Sequence, residues 1–314
     1  MKKICLVGCG GIGRLHAKNL SPLAQVFFYS RSRSSAARFQ DEFQGGGIFD
    51  DFEAVLKEPQ IEALVLASPP QYHKEQTVAA LQAGKSVLVE KPMCVNAAEL
   101  DAIQQALEAH PDLFVMVAEN YYYKPSLALL KQLLAQGWIG ALKWVAAKKV
   151  FTQEASGWKS HYGALLEGGV HFVALLSDLF DAAPVRVAAE FPGLQPGQPE
   201  RHSITRLHYP GGTVAKLEYS WNTRSLTKGV FQHSYICGEN GSITFESNGI
   251  YVWLNSKKKK RLYLPDCGDL MGYHGMSRDF IDCLRDSCRT PYSDFYKARR
   301  DLQIIFAAYN TQES

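Results

Sequence analysis

The stretch that decides the fold is residues 3–20, which read KICLVGCGGIGRLHAKNL. Its apolar start, Lys3–Val7, predicts a buried strand that stops at a glycine cluster. The cluster Gly8-Cys9-Gly10-Gly11-Ile12-Gly13 fits the pattern G-x-G-x-x-G, and the amphipathic residues after it predict a helix. A strand, a glycine turn and a helix in this order indicate a dinucleotide-binding unit.

Each glycine of this pattern meets a different physical requirement. Gly8 permits the tight turn, Gly10 lets the backbone approach a pyrophosphate, and Gly13 lets the helix pack on the strand. Gly11 and Ile12 complete the loop, and the helix N-terminus offers unpaired N–H groups and a positive dipole end to the phosphates. The alternative is a glycine turn with a purely structural role.

The end of the second predicted strand, Gln25–Tyr29, indicates which dinucleotide is bound. Sites that prefer NAD place Asp or Glu there to hold the ribose 2′-hydroxyl. This chain instead continues with Ser30-Arg31-Ser32-Arg33. Ser30 and Arg31 stand where a 2′-phosphate would lie, so the sequence favours NADP as the cofactor. The alternative is that these arginines are surface charges and that NAD is used without its usual acidic partner.

Two different patterns divide the chain near residue 122. Residues 1–122 alternate apolar strands with helices, which predicts an α/β Rossmann domain with a parallel sheet covered on both faces. Residues 123–314 carry longer alternating strands and hairpin signals such as Gly238-Glu239-Asn240-Gly241. This half is predicted to be an α+β domain with a large open, mostly antiparallel sheet that binds substrate and forms oligomers.

Composition and charge exclude several classes of partner. Hydrophobic residues make up 46% and charged residues 21% of the chain, as in an ordinary folded protein. The net charge of +3 is local, because Lys257–Arg261 contributes five positive charges and the remainder is 29 basic against 31 acidic residues. A nucleic-acid-binding face is therefore not expected. The flanks of the run are strand-like, so we interpret it as a solvated hairpin tip.

The cysteines and apolar runs bear on compartment and membrane. Seven cysteines are scattered without a C-x-x-C pair, which favours reduced thiols over a disulfide framework. No apolar run approaches the length of a spanning helix. The first strand begins near residue 3, so we expect no signal peptide, a cytoplasmic location and no membrane partner. No compact set of ligands with a zinc spacing occurs, so no metal site is predicted.

Four further motifs accompany the glycine loop: Ser68-Pro69-Pro70-Gln71-Tyr72-His73, Glu90-Lys91-Pro92, Glu119-Asn120 and Glu167-Gly168-Gly169-Val170-His171. Together they make the chain resemble the Gfo/Idh/MocA oxidoreductases over nearly its whole length. The resemblance implies a Rossmann domain followed by an α+β domain whose open sheet pairs subunits into a homodimer or homotetramer. It also implies hydride transfer between a nicotinamide and the carbonyl, hydroxyl or imine carbon of a small sugar-like or aromatic substrate.

The resemblance also implies which residues contact the cofactor. Ser68, Pro69 and His73 would line its adenosine and pyrophosphate side. Asn120 would lie at the domain junction, and Trp158 resembles the tryptophan of a Trp-Arg pair that approaches the cofactor in some NADP-using members.

The catalytic candidates come from the same motifs. The resemblance places Glu90 near the nicotinamide and Lys91 at the reacting oxygen. Hydride transfer at a C–O group needs a side chain that donates a proton to the oxygen or accepts one from it, and lysine and histidine can both do this. Glu167 and His171 are spaced i, i+4, which puts them on one face of a helix, where the carboxylate can orient the imidazole. A surface lysine and a buried structural histidine are the alternatives.

Three departures from the family pattern concern the substrate. Glu167 stands where the family usually has Asp, Ala174 where it often has Asp, and Tyr122 where an arginine is common. Loss of two polar groups predicts a substrate less polar than a free hexose: aromatic, modified or nucleotide-linked. The same departures leave open a second hypothesis, a non-catalytic protein of this fold that senses NADP and regulates.

Overall fold

The computed structural model describes residues 1–180 and 182–311, and it divides the chain into two compact units. The first unit combines Met1–Glu119 with Tyr273–Arg299, and the second combines Asn120–Gly272 with the segment from Arg300 onward. Residues 273–299, which the sequence analysis placed in the second domain, therefore join the first unit. Hydrogen bonds explain this, because Val117 N donates to Ser293 O at 2.9 Å.

The first unit contains a parallel six-stranded sheet in the order β3-β2-β1-β4-β5-β6. This order is that of a Rossmann fold, whose ligands lie at the carboxyl ends of the strands where the order reverses beside β1. The strand interiors are apolar and fully buried, as in β4, because helices cover both faces. The strands are β1 (Lys3–Val7), β2 (Gln25–Tyr29), β3 (Gly47–Phe49), β4 (Ala63–Leu66), β5 (Ser86–Val89) and β6 (Val115–Val117).

Side-chain caps fix the starts of several helices in the first unit. Asp51 Oδ1 accepts from Ala54 N at 2.6 Å, and Asn96 Oδ1 accepts from Glu99 N at 3.0 Å. The helices of its N-terminal part are α1 (Gly11–Leu20), α2 (Arg33–Phe43), α3 (Phe52–Lys57), α4 (His73–Gln82) and α5 (Ala97–Glu108).

The second unit is built on an eight-stranded sheet in the order β14-β13-β12-β11-β7-β10-β9-β8. Strands β7 and β10 pair in parallel, and the other neighbours pair antiparallel, so the predicted open, mostly antiparallel sheet is confirmed. The strands are β7 (Leu142–Val150), β8 (Arg186–Glu190), β9 (His202–His208), β10 (Val214–Ser220), β11 (His233–Gly238), β12 (Gly241–Glu246), β13 (Val252–Ser256) and β14 (Lys260–Tyr263).

Helices α6 (Pro125–Ala135) and α7 (Val170–Phe180) belong to the second unit, and a π-helical turn, Leu165–Gly169, leads directly into α7. The chain closes with α8 (Tyr273–Arg285) and α9 (Phe295–Asn310). Helix α8 belongs to the first unit, where Phe280 meets Phe114 edge-on at 5.9 Å. No helix within the described ranges is long and apolar enough to cross a membrane.

The lysine run forms the predicted hairpin tip. Residues 257–259 connect β13 with β14, and β14 is an edge strand of the open sheet. Lys260 and Arg261 are exposed on that strand. Positive charges on an edge strand oppose edge-to-edge pairing with another sheet, which gives the run a structural explanation.

Candidate functional site

The turn between β1 and α1 is shaped by two of its glycines. Gly8 has a φ of +109°, and a Cβ there would come within 3.0 Å of Ala67 O. A Cβ on Gly13 would come within 3.0 Å of Gly8 O. Contacts that close do not occur with real Cβ atoms, so the fold itself requires glycine at both positions.

The two central glycines of the loop face open space instead. Apart from the adjoining residues and the backbone of α1, no atom of the described residues lies within 4 Å of a Cβ built on Gly10 or Gly11. Gly10 is the N-cap of α1 and has no side-chain cap, and Ile12 is half-buried in the first helical turn. Open space in front of an uncapped helix N-terminus fits a pyrophosphate that approaches the backbone closely.

Two of the residues after β2, Ser32 and Arg33, make structural contacts, whereas Ser30 and Arg31 are the candidates for binding a cofactor. Ser32 caps α2 by accepting from Ser35 N at 3.3 Å, and Arg33 forms an exposed ion pair with Asp50. Arg31 is exposed, and its guanidinium lies 5.6 Å from the centre of the Tyr72 ring. Ser30 is half-buried beside it in sequence. Ser30 and Arg31 were predicted to contact a 2′-phosphate. Of the two, Arg31 is exposed to solvent and its guanidinium is supported by an aromatic ring.

His73 holds two loops together. It is fully buried, with Nδ1 2.9 Å from Pro92 O and Nε2 2.7 Å from Ser68 O. Burial lowers the pKa of His73, against the opposing effect of these two carbonyl groups. The resemblance implied that His73 lines the cofactor, but its complete burial assigns it to holding the loops after β4 and β5, while Ser68 and Pro69 are only half-buried.

Glu90 is also an internal residue. It is 6% exposed, its Oε1 lies 2.7 Å from His16 Nε2, and its Oε2 accepts from Lys91 N at 3.1 Å. Burial opposes ionisation, but the hydrogen bond and charge of His16, together with the charges of Lys91 and His73, outweigh it and hold the pKa of Glu90 below its usual value. Glu90 therefore fixes the backbone at Lys91, and Lys91 follows the carboxyl end of β5, half-buried. Sequence reasoning missed His16.

In the second unit, Glu167 lies in the π-helical turn and His171 in the first turn of α7. The Glu167 carboxylate is 2.8 Å from Lys159 Nζ, and its side chain is 7% exposed. His171 is half-buried, and its ring stacks on Tyr121 with centroids 4.8 Å apart at an angle of 15°. The unit thus presents a paired carboxylate and an imidazole held against an aromatic ring.

Aromatic side chains accompany this pair. Trp158 and Tyr162 have ring centroids 6.2 Å apart, and Lys159 Nζ lies 5.6 Å from the Trp158 ring. Sequence reasoning named Trp158 but missed the ion pair of the next residue, Lys159, with Glu167. The described residues contain no group of three His, Cys, Asp or Glu side chains that could hold a metal ion.

Comparisons with known proteins identify the family of both parts of the chain. A family profile described as "Oxidoreductase family, NAD-binding Rossmann fold" matches residues 2–119, and the GFO/IDH/MocA C-terminal domain matches residues 127–244. The chain belongs to the Gfo/Idh/MocA family.

Curated Gfo/Idh/MocA relatives are dehydrogenases of small hydroxylated molecules. The trans-1,2-dihydrobenzene-1,2-diol dehydrogenase of Mus musculus is 30% identical over 217 residues, which are 68% of this chain and 63% of that protein. The inositol 2-dehydrogenase of Acidothermus cellulolyticus is 29% identical over 273 residues, 82% of this chain and 77% of that protein. The chain thus spans just under two thirds of the length of the mouse diol dehydrogenase that it matches.

Solved structures share the fold at low sequence identity. A levoglucosan dehydrogenase in complex with NADH and levoglucosan has a TM-score of 0.87 at 20% identity, covering 100% of this chain and 98% of that one. A 3-ketoreductase from Actinomadura kijaniata in complex with TDP-benzene and NADP has a TM-score of 0.84 at 20% identity, covering 99% and 97%. Nicotinamide cofactors of both kinds therefore occur on this fold.

The departures from the Gfo/Idh/MocA pattern have clear structural consequences. Ala174 is fully buried, and Tyr122 is 5% exposed with its hydroxyl donating to Asp301 and accepting from Arg300 Nη2 at 3.2 Å. Asn120 is also buried, and its Nδ2 donates to Met271 O at 2.6 Å. All three side chains lie inside the second unit, and the Asn120 amide bonds to the backbone of the turn at residues 271–272.

Proposed function

We propose that this protein is an NADP(H)-dependent dehydrogenase or reductase that moves hydride between nicotinamide and the carbonyl or hydroxyl carbon of a small cyclic substrate. The observation that carries the proposal is the open space at Gly10 and Gly11, in a glycine loop whose other glycines the fold requires. The first unit would hold the cofactor through this loop, the start of α1, Ser30 and Arg31. The bound nicotinamide supplies or accepts the hydride.

Lys91 and His171 are the proposed proton-transfer residues. Lys91 follows the carboxyl end of β5, and open α/β sheets bind their ligands at the carboxyl ends of the strands. Glu90 fixes the backbone of Lys91 by accepting a hydrogen bond from its N–H group. His171 is held by its stack on Tyr121, and Glu167 carries the nearby carboxylate. A lysine or histidine at the reacting oxygen gives or takes the proton that accompanies hydride transfer.

The substrate that these residues favour is a cyclic vicinal diol or sugar-like ring with an apolar face. Trp158, Tyr162 and Tyr121 provide ring surfaces in the second unit, and the buried Ala174 provides no hydrogen bond for a polyol. The curated relatives named above oxidise a dihydrobenzene diol and an inositol. The test is NADP⁺ reduction with a panel of trans-cyclic diols, inositols and free hexoses. Best turnover on free hexoses would contradict this substrate class.

Arg31→Ala is expected to raise the KM for NADP⁺ about tenfold or more, the size of a lost hydrogen bond to a charged group, and to change the KM for NAD⁺ little. Arg33→Ala is the matched control, because Arg33 is already paired with Asp50. Initial rates with both cofactors measure the effect. Equal effects of the two variants on NADP⁺ would show that Arg31 does not contact the 2′-phosphate.

We also propose a homo-oligomer formed through the open face of the large sheet. Its outward side chains include Trp144, Tyr235, Trp253 and Leu262, which are 39–52% exposed. The strand register pairs Trp253 with Leu262 on one side and with Thr244 on the other, and it pairs Thr244 with Tyr235. The leucine and the two aromatic rings therefore lie in one row on one face of the sheet, and this area is mostly apolar. A single copy exposing such an area to water is unfavourable, and a second copy would cover it.

The double variant Trp144→Arg/Trp253→Arg is expected to be a monomer, because the charges would oppose each other across the interface. Light scattering after size exclusion measures the mass. Tyr296→Arg, which changes an exposed aromatic residue of the first unit, is the control and should leave the oligomer intact. A wild-type monomer would contradict the proposal.

A cytoplasmic location is part of the same proposal. All seven cysteines are free thiols, and three of them, Cys5, Cys94 and Cys283, are buried. Persistent free thiols are typical of a reducing compartment.

A further inference from the structure

The turn that carries Glu167 is held by two side chains from distant parts of the chain. Three consecutive N–H groups at its start donate outside the turn: Ala164 N to Glu200 O at 3.0 Å, Leu165 N to Glu200 Oε1 at 2.6 Å and Leu166 N to Tyr309 Oη at 3.2 Å. Tyr309 Oη donates in turn to Glu200 Oε1 at 3.0 Å. The first N–H groups of a helix usually lack internal partners, so these bonds act as its cap.

Packing around this cap leaves little freedom. Glu200 is 4% exposed, and a Cβ on Gly163 would come within 3.0 Å of Glu200 Oε2 and of Tyr309 Oη. Phe191 stacks on Tyr309 with centroids 5.5 Å apart, which fixes the phenol ring from the side. The hydroxyl and the carboxylate therefore have one arrangement available to them.

We propose that Glu200 and Tyr309 are positioning residues that set the orientation of the π-helical turn, and through it of Glu167 and His171. Glu167 N donates to Gly163 O at 3.0 Å, so the capped start and the functional carboxylate belong to one hydrogen-bonded turn. The inference rests on the proposed function of Glu167 and His171. In this proposal Glu200 and Tyr309 act only through the turn and do not contact substrate or cofactor.

The charge of Glu200 changes within the working range of pH. Burial raises the pKa of its carboxyl to about 7, against the hydrogen bonds from Leu165 N and Tyr309 and the charge of Arg201. Within the described residues, Arg201 is the cation beside it, held by the carbonyl groups of Tyr162 at 3.0 Å and Ser160 at 3.1 Å. The pKa of Tyr309 is raised by its own burial and by Glu200.

The sign of the resulting pH dependence follows from this shift. A folded pKa of about 7 lies above the unfolded value of about 4.3, so the folded state binds the proton more tightly. The contribution of Glu200 to the free energy of unfolding is therefore present below about pH 4.3 and is lost as the pH rises to about 7. Locally, the ionised carboxylate accepts stronger hydrogen bonds from Leu165 N and Tyr309.

Amide hydrogen exchange tests the positioning of the turn directly. Tyr309→Phe removes the acceptor of Leu166 N, so the exchange rate of that amide is expected to rise about tenfold or more. Glu200→Gln keeps an acceptor for Leu165 N and should change its exchange less than Glu200→Ala does. The control is Tyr209→Phe, which removes a buried hydroxyl that has no partner among the described residues. Unchanged exchange at Leu166 in Tyr309→Phe would overturn the proposal.

Kinetics of the same variants test the consequence for the site. Tyr309→Phe is expected to lower kcat about tenfold with little change in the KM for NADP⁺, because the cofactor loop lies in the other unit. The ratio of wild-type kcat to Glu200→Gln kcat is expected to rise from pH 6 to pH 8. The Glu200 carboxyl of the wild type ionises in this range and then holds the turn more strongly, whereas the amide of the variant does not ionise. A constant ratio, or an equal loss in Tyr209→Phe, would overturn the proposal. If the wild type oxidises none of the diols, the proposed function fails, and the exchange rates still decide the role of the cap.

Discussion

His171→Ala is expected to lower kcat for diol oxidation by about 10²–10⁴-fold, the usual range for loss of a positioned proton-transfer group. The imidazole lies beside the turn of Glu167 and is stacked on Tyr121 at 4.8 Å, so its orientation is fixed before substrate binds. The folded state should persist, because His171 is only half-buried. Binding of NADPH should be unchanged, since the glycine loop belongs to the first unit.

Lys91→Ala is compared with His171→Ala because either residue can serve the reacting oxygen. The residue that transfers the proton should lose kcat with little change in the KM for substrate, whereas a residue that only binds substrate should raise KM. His110→Ala, two residues after the end of α5, is the control and should retain wild-type kcat. Wild-type kcat in both Lys91→Ala and His171→Ala would contradict the proposed roles.

Gly10→Ala is expected to weaken cofactor binding by at least about tenfold without unfolding the protein, the second large effect. The Cβ would enter the open space that the proposal assigns to the pyrophosphate, where no described atom beyond the adjoining residues and the backbone of α1 lies within 4 Å. The fold therefore tolerates the methyl group, and the Kd for NADPH should rise by at least about tenfold. Titration calorimetry and thermal unfolding together measure the two effects.

Gly13→Ala is the matched control, because its Cβ would collide with Gly8 O. This variant should lose about 1–3 kcal/mol of stability in addition to any loss of binding, as overpacked positions do. The contrast separates the two reasons for glycine in one loop. If Gly10→Ala binds NADPH as tightly as the wild type, the space in front of α1 is not the pyrophosphate site.

Most of the fold could be predicted from local sequence pattern. Strands Lys3–Val7 and Gln25–Tyr29 were predicted with the bounds that the structure has. The missed elements are short or at an edge, such as β3 with three residues and α3 with six. Such elements carry too few residues for a hydrophobic period, and β8 is an edge strand whose ends are exposed.

The candidate site was predictable only where one motif carried the information. The glycine loop shows its function in six consecutive residues, whereas His16–Glu90 and Glu200–Tyr309 join residues that are 74 and 109 positions apart. The π-helical turn was predicted as part of an α-helix, because one wider turn leaves the apolar spacing nearly unchanged. Local patterns likewise could not show that His73 is fully buried or that residues 273–299 join the first unit.

Transfer of deuterium from substrate to the nicotinamide is the test of the proposed hydride transfer. The wild-type protein is incubated with NADP⁺ and a trans-cyclic diol deuterated at the carbinol carbon, and the nicotinamide C4 is then analysed by mass spectrometry and NMR. Deuterium is expected on one face of C4 in the NADPH formed, with the transfer much slower in His171→Ala or Lys91→Ala. Tight NADPH binding with no transfer from any diol, inositol or sugar, nor to any carbonyl or imine tested in the reverse direction, would contradict the proposed hydride transfer and identify a dinucleotide-sensing protein.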